Sequence, residues 1–166
     1  MGWENVRVTD SGNYQLRDYR IDEVELACDI RGMSEPVARN AFIDRLAQPG
    51  EWAGHYRHLA ITFNEILVGD IQLRHCPETM PPGAAHIGID VAETYRGKGA
   101  GTQALRLAWE WAKANGFHRV EGSTDESNIA MQKAFEKAGW HFEGRQKKLF
   151  MSDGIGHDYL SYALTI

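Results

Sequence analysis

The segment VAETYRGKGAGT, residues 91–102, joins an expected strand to the strongest expected helix of the chain. Gly97, Gly99 and Gly101 occupy alternate positions in it, next to basic residues. Glycine permits a positive φ and a close approach of a ligand to the backbone. The N–H groups of such a loop and of the helix start can converge on one point, where the helix dipole also favours an anion. The segment therefore predicts a pyrophosphate-binding loop rather than a plain helix entry.

The glycine spacing argues against two common nucleotide-binding motifs. A Walker loop needs Gly-Lys-Ser/Thr, whereas Thr102 follows Gly101 with no lysine between them. A Rossmann fingerprint has G-x-G-x-x-G directly after the strand, whereas G-x-G-x-G begins here five residues later. Glu121 lies on the next expected strand, where an acid could bind a ribose, so dinucleotide binding remains an alternative at this point.

Hydrophobic periodicity on both sides of this segment predicts four helices and seven strands. The expected helices begin at Asp22 as N-cap, at Pro36 (ending before Pro49-Gly50), at Gly99 and at Asn128. The expected strands are 14–19, 59–63, 66–74, 85–91, 118–124, 142–151 and 157–164. Frequent hairpins favour an α+β fold with a largely antiparallel sheet, in a single domain over residues 1–166.

Composition limits the class of protein. The formal charge of −5 argues against nucleic-acid binding and favours cationic partners. No apolar run reaches the roughly 20 residues of a membrane helix, and residues 1–10 lack a secretion-signal pattern. Two cysteines, Cys28 and Cys76, favour reduced thiols in a cytoplasmic protein. The seven histidines show neither H-E-x-x-H nor paired-cysteine spacing, so no metal is expected.

Two motifs resemble the GNAT acetyltransferase superfamily. Its pyrophosphate loop, Arg/Gln-x-x-Gly-x-Gly/Ala, is matched by Arg96, Gly99 and Gly101. Its second motif is an Asn that opens the next helix, an aromatic residue seven positions later and then Gly-aromatic, matched by Asn128, Phe135 and Gly139-Trp140. The tail resembles the RimJ/RimL-like branch, which acetylates the N-termini of ribosomal proteins, through Glu143-Gly144, Asp153-Gly154 and His157-Asp158-Tyr159.

The resemblance implies a GNAT fold: a mixed, mostly antiparallel sheet of seven strands flanked by about four helices. The fourth and fifth strands splay apart, and acetyl-CoA, a co-substrate used without a metal, lies between them. The family pattern assigns the pantetheine arm and acetyl carbonyl to the backbone of Ile89, Asp90 and Val91, and it assigns further contacts to Asn128 and Phe135. The pyrophosphate would bind at Arg96, Gly97, Lys98, Gly99, Ala100, Gly101 and Thr102. Asn128 as a simple helix cap remains an alternative.

The implied function is acetyl-CoA-dependent N-acetylation of a primary amine. Acceptors in the branch include protein N-terminal α-amines, polyamines, amino acids and amine antibiotics. Carboxylates on the first two helices, the loop 76–83 and the final hairpin favour a cationic acceptor. The sequence leaves open whether the chain forms a homodimer. Neither nucleic acid nor a membrane is expected as a partner. The alternative is a GNAT-fold module that binds acyl-CoA with little catalysis.

The catalytic residues do not transfer by resemblance. Four positions that supply catalytic side chains in relatives hold Ser123, Met131, Phe135 and Phe150 here. The chain itself offers Asp90, Asp125 and Tyr159 as candidates, with Asp125 also a plausible helix cap and Tyr159 also a packing residue. An α-amine with a pKa near ~7.8 costs about 1 kcal/mol to deprotonate at pH 7, whereas a lysine amine near ~10.4 costs roughly 4.6 kcal/mol. The missing residues therefore favour acceptors with a low amine pKa.

Overall fold

The computed structural model describes residues 13–47 and 50–166. Residues 1–10 and Pro49, which entered the sequence predictions, lie outside these ranges. One sheet has the strand order β1-β2-β3-β4-β5-β7-β6. Its strands are β1 Tyr14–Arg17, β2 Tyr56–Phe63, β3 Ile66–Arg74, β4 Ala84–Val91, β5 Arg119–Asp125, β6 His141–Ser152 and β7 Ile155–Thr165. The helices are α1 Val24–Ile30, α2 Pro36–Leu46, α3 Ala100–Ala114 and α4 Ile129–Lys137.

The predicted α+β class and the mixed, mostly antiparallel seven-stranded sheet are confirmed. Every neighbouring pair of strands is antiparallel except β4 and β5, which run parallel. The described residues contain no helix that is both long and apolar enough to cross a membrane.

The start of the first helix differs from the prediction. Asp22 does not cap it; the chain first makes a 3₁₀ turn over Ile21–Glu23. The Glu23 carboxylate, rather than that of Asp22, accepts from the backbone N–H of Arg20 at 3.0 Å and from Arg17. Glu23 is placed to accept this backbone hydrogen bond because its buried carboxylate pairs with the Arg17 guanidinium at 2.6 Å.

The helices cover the two faces of the sheet unequally. Helices α3 and α4 pack on one face around Leu73, Ile87, Val120 and Phe135. Helices α1 and α2 pack on the other face, over β2 and β3. We call this the acceptor face, after the position expected for the amine. None of the four described helices covers the same face of β5, β7 and β6.

Candidate active site

Strands β4 and β5 part in the middle of the sheet. They are paired only at Ala84↔Arg119, Ala85↔Val120 and His86↔Glu121. Beyond this point β4 stays paired with β3 up to Val91, and β5 stays paired with β7 up to Asp125. Each strand then presents an edge of backbone N–H and C=O groups toward the other, and such edges readily bind an extended ligand.

The glycine loop begins where β4 ends. Gly97 and Gly99 have φ values of +71° and +86°, which side chains rarely adopt. Among the described residues no side chain caps α3, whose N-cap is Gly99, so its first-turn N–H groups are left for another acceptor. The first turn of α3 carries no acidic residue. Arg96 Nε donates to the Val91 carbonyl at 3.0 Å, which ties the loop to the end of the strand. This geometry fits a pyrophosphate at the loop.

Gly101 has a different role from that of Gly97 and Gly99. It lies inside α3 with a helical backbone, and a Cβ there would lie 3.8 Å from the Cβ of Ala134 on α4. This is an ordinary van der Waals distance, so the α3–α4 packing leaves room for a Cβ at Gly101. Gly97 and Gly99, in contrast, shape the loop through their positive φ values.

Phe135 fills the space under the parting strands. It is buried, stacks on Tyr162 with ring centroids 4.8 Å apart, and contacts Trp140 at 5.2 Å. A Cβ on Gly122 would lie 2.8 Å from Ile87 and 3.0 Å from the Phe135 ring, so only glycine fits at the start of the gap. Phe135 thus packs where the two strands separate, and its ring carries no group that can donate a proton.

Asn128 is the N-cap of α4, with its side-chain oxygen accepting from the Met131 N–H at 3.1 Å. The capping role left open by the sequence is therefore present; a bond to the cofactor remains a prediction. We expect Asn128→Ala to lower unfolding free energy by about 1 kcal/mol through loss of the cap and to weaken acetyl-CoA binding as well. Asn128→Ser keeps a capping oxygen and is the matched control. If calorimetry gives both variants the acetyl-CoA affinity of the wild type, Asn128 acts only as a helix cap.

Asp90 lies at the end of β4 on the acceptor face, opposite Asp70 of β3. Its carboxylate is 3.1 Å from Arg31 Nη1 and its side chain is 41% exposed. Burial raises the pKa of Asp90 above its ordinary value, and the Arg31 guanidinium opposes this rise. A carboxylate with a raised pKa is a better general base near neutral pH.

Asp70 is the buried centre of a polar network behind Asp90. It accepts from the Tyr19 hydroxyl at 2.7 Å and from Arg31, and His58 Nδ1 lies 3.2 Å away. Burial and the adjacent carboxylate raise the pKa of Tyr19 well above its ordinary value, so its hydroxyl stays a donor. One guanidinium, that of Arg31, therefore faces two carboxylates.

Sequence reasoning missed Tyr19, Arg31 and Asp70. The one indication of this network in the sequence was Asp70 itself, an acidic residue in the middle of the otherwise largely apolar strand ILVGDIQLR. An ionised group in such a place is almost always paired. Its partners come from the start and end of the first helical segment, and only the folded chain identifies them.

Asp125 and Tyr159 lie opposite each other on β5 and β7, on the acceptor face. Asp125 is not the cap of α4: it accepts from the N–H and Oγ of Ser127 at 2.8 and 2.6 Å and lies 3.2 Å from His157 Nδ1. The Ser127 bonds lower its pKa, which makes it a weak base. Tyr159 packs on Phe150 with centroids 5.1 Å apart.

A cleft of ≈ 340 Å³ opens on the acceptor face over β4 to β7. At one end His86 Nε2 lies 2.6 Å from Glu121, and Arg119 joins Glu121 to Glu143. Burial lowers the pKa of His86 although Glu121 opposes it, so the imidazole is favoured as neutral. Glu121 is engaged by these two partners, which removes the support for a ribose contact. Asp90 lies four residues beyond His86 on the same face of β4.

Comparison with known proteins gives consistent results. The sequence model of the Acetyltransferase (GNAT) family matches residues 24–140, which include the glycine loop, Asn128 and Phe135. The Bacillus subtilis protein described as "Uncharacterized N-acetyltransferase YobR" is 46% identical over 52 residues, 31% of this chain and 21% of that protein. "Probable N-acetyltransferase YjcK" of the same organism is 32% identical over 81 residues, 48% of this chain and 45% of that protein. The matches thus span less than half the length of these curated relatives.

The fold is also similar to a solved structure, Mycobacterium smegmatis RimJ in complex with CoA-disulfide. The TM-score is 0.74 at 21% sequence identity, over 93% of this chain and 82% of that chain. At this identity the likeness is one of fold.

Proposed function

The chain belongs to the acetyltransferase (GNAT) family, and from this we propose that it is a single-domain enzyme that transfers the acetyl group of acetyl-CoA to a primary amine. The observation that carries the proposal is the parting of β4 and β5 directly beside a glycine loop and an uncapped helix start. An extended thioester and an anionic pyrophosphate need these two features side by side.

In this proposal the cofactor arm lies along β4, held by backbone groups of Ile89, Asp90 and Val91. The loop from Arg96 to Thr102 holds the pyrophosphate: its N–H groups donate, and Arg96 and Lys98 add positive charge. Phe135 closes the gap from below and excludes water. Asn128 caps α4 and bonds to the pantetheine arm. Acetyl-CoA supplies the acyl group and the thiol leaving group.

Asp90 is the proposed general base. It is partly exposed on the acceptor face at the end of β4, and Arg31 orients it from behind. The two carboxylates of the Asp70–Arg31–Asp90 group attract an ammonium, and Asp90 accepts the proton that the amine must lose before it attacks the acetyl carbonyl. Asp125 is a weaker candidate because Ser127 and His157 already occupy its oxygens. Tyr159, on the same face of the sheet, is the proposed proton donor to the leaving thiolate.

The acceptor is proposed to be an amine of low pKa, such as a protein or peptide N-terminal α-amine. At pH 7 the loss of that proton to solvent costs about 1 kcal/mol, against roughly 4.6 kcal/mol for a lysine amine, so an α-amine depends less on a strong base. The tail motifs Glu143-Gly144, Asp153-Gly154 and His157-Asp158-Tyr159, which resemble the RimJ/RimL-like branch, support an acceptor of this type. Polyamines, free amino acids and amine antibiotics are the other acceptors to be compared.

Cationic acceptors should show a dependence on salt. Glu25 and Asp29 are already paired with Arg39, so we expect the Asp70–Arg31–Asp90 group to provide most of the attraction. At saturating acetyl-CoA, kcat/KM for a protonated amine should fall several-fold as ionic strength rises through the range where the Debye length shrinks to about 8 Å. An amine that is uncharged at the assay pH is the control. A flat kcat/KM for the charged amine would refute steering by this site.

The replacement of a family tyrosine by Phe135 favours one alternative, an acyl-CoA-binding module with little catalysis. Release of free thiol from acetyl-CoA separates the two functions. The protein is mixed with acetyl-CoA and, in turn, an N-terminal peptide, a polyamine, an amino acid and an amine antibiotic. Transfer predicts thiol release above the hydrolysis blank with at least one acceptor. Tight acetyl-CoA binding with no release above the blank for any of them would support the binding module.

Two further proposals concern the cellular compartment of the enzyme and its oligomeric state. Cys28 and Cys76 are both free thiols, in agreement with a reducing cytoplasm.

Strand β6 is a sheet edge with Phe142, Phe150 and Met151 exposed, and it is the proposed contact if the protein forms a homodimer. Sedimentation of wild type against Phe150→Ser measures that contact.

A further inference from the structure

Three metal-ligating side chains of different chemistry meet at the end of the sheet where β4 begins. They are His55, just before β2, and Cys76 and Glu78, just after β3. Their donor atoms, an imidazole nitrogen, a thiol sulfur and a carboxylate oxygen, all lie within 4.8 Å of one another. The proposed acetyl-transfer chemistry uses none of them.

The distances are close to those of a tetrahedral metal site. His55 Nε2 is 4.0 Å from Cys76 Sγ and 3.9 Å from Glu78 Oε2, and the sulfur is 3.1 Å from that oxygen. Zinc bonds of about 2.3 Å to sulfur and about 2.0–2.1 Å to nitrogen and oxygen place tetrahedral ligand atoms about 3.3–3.6 Å apart. Each observed separation therefore needs to change by about 0.6 Å or less. The side chains of His55 and Glu78 are 47% and 69% exposed and are free to make that adjustment.

The backbone holds the ligands in place before any ion binds. His55 lies in a tight turn between Ala53 and Tyr56, which exchange backbone hydrogen bonds of 2.8 and 3.2 Å. Its carbonyl accepts from the His75 N–H at 3.0 Å, which connects the two loops directly. Cys76 and Glu78 occupy the first and third positions of a turn closed by the Thr79 N–H on the Cys76 carbonyl at 3.0 Å, and Pro77 fixes the second position.

We propose that His55, Cys76 and Glu78 bind a zinc-like divalent transition-metal ion. The thiol of Cys76, which donates to Glu78 in the unbound protein, loses its proton to solvent, and the thiolate then binds the ion together with neutral His55 and the Glu78 carboxylate. Thiolate and carboxylate balance the charge of the ion. Water takes the fourth position.

This site lies far from the glycine loop. β4 runs from this end of the sheet to the glycine loop, and its eight residues span about 25 Å. The sequence predicted no metal because the twenty residues of a hairpin separate His55 from Cys76. Only the antiparallel pairing of β2 with β3, from Tyr56↔Arg74 onward, brings the two loops together.

The native protein offers a direct readout of metal binding. Cys28 is fully buried, so a thiol reagent added to the folded protein reports Cys76. One equivalent of Zn²⁺ should slow the modification of Cys76, and Co²⁺ should produce a thiolate-to-metal charge-transfer absorption. His55→Ala and Glu78→Gln should each raise the Zn²⁺ dissociation constant roughly tenfold or more, and Cys76→Ser should abolish the Co²⁺ absorption. His141→Ala, at an exposed histidine of β6, is the matched control and should bind as wild type.

Two outcomes would overturn the proposal. One is the absence of both thiol protection and Co²⁺ absorption in the wild type. The other is protection in His55→Ala and Glu78→Gln equal to that of wild type, which would mean that a lone thiol binds the ion. Circular dichroism and thermal melting of each variant establish that it is folded, and His55→Gln is the second variant if His55→Ala is not.

Discussion

Gly99→Val is expected to raise the dissociation constant of acetyl-CoA by at least about tenfold. Gly99 has a φ of +86° at the N-cap of α3, a conformation that costs a side-chain-bearing residue about 1–2 kcal/mol and a β-branched one more. The loop must rotate to relieve this strain, and its N–H groups then turn away from the pyrophosphate. Since about 1.4 kcal/mol is a tenfold change in affinity, the effect is readily measured by calorimetry.

The matched control is Gly116→Val at the other end of α3. Gly116 has a φ of +82°, and no described atom lies within 4 Å of a Cβ built at either glycine. Both substitutions should lower the melting temperature by similar amounts, but only the one at Gly99 should weaken binding. Equal affinities in the two variants would mean that the glycine loop does not bind the cofactor.

Asp90→Asn is expected to lower kcat/KM for the amine about 100-fold or more, the usual contribution of a positioned general base. Affinity for acetyl-CoA should stay near that of wild type because the asparagine keeps the same backbone contacts and nearly the same shape. Asp44→Asn, at an exposed aspartate of α2, is the matched control. A loss of less than threefold in the Asp90 variant would contradict its role as base.

The pH profile supplies an independent test of the same residue. Asp90 acts as a base only when ionised, and burial raises its pKa. In the wild type, kcat/KM should therefore begin to fall at a higher pH than an ordinary aspartate would give as the solution is acidified. Asp90→Asn has no proton to exchange there, so its remaining activity should lack this acid limb. An unchanged limb in the variant would assign it to another group.

Local patterns were sufficient to predict most of the fold. The glycine loop, the amphipathic α3 and the strand β3 all follow from spacing and turn residues within one short segment. Errors arose where a distant partner decides the local structure. Asp22 was expected to cap a helix, but Arg17 recruits Glu23 instead, and β2 begins at Tyr56 rather than Leu59 because its pairing with β3 continues to Arg74.

The candidate site likewise has a part that local sequence predicts and a part that depends on distant residues. The loop from Arg96 to Thr102 is contiguous and carries a motif, so sequence alone indicated its role. The Asp70–Arg31–Asp90 group is built from β3, β4 and the residue that follows α1, and no spacing in the sequence relates those three residues. Asp125 looked like a helix cap because it precedes α4, yet Asn128 takes that position and Asp125 folds back onto Ser127.

The most direct test of the proposed transfer uses a peptide that carries both a free α-amine and one lysine. The peptide is incubated with wild-type protein and acetyl-CoA, and fragment masses locate any acetyl group. We expect one acetyl group on the α-amine, formed at a rate that depends on Asp90, with an equal amount of free thiol released. A peptide that stays unmodified under these conditions, while acetyl-CoA binds and its thioester is hydrolysed only at the blank rate, would contradict acetyl transfer to α-amines.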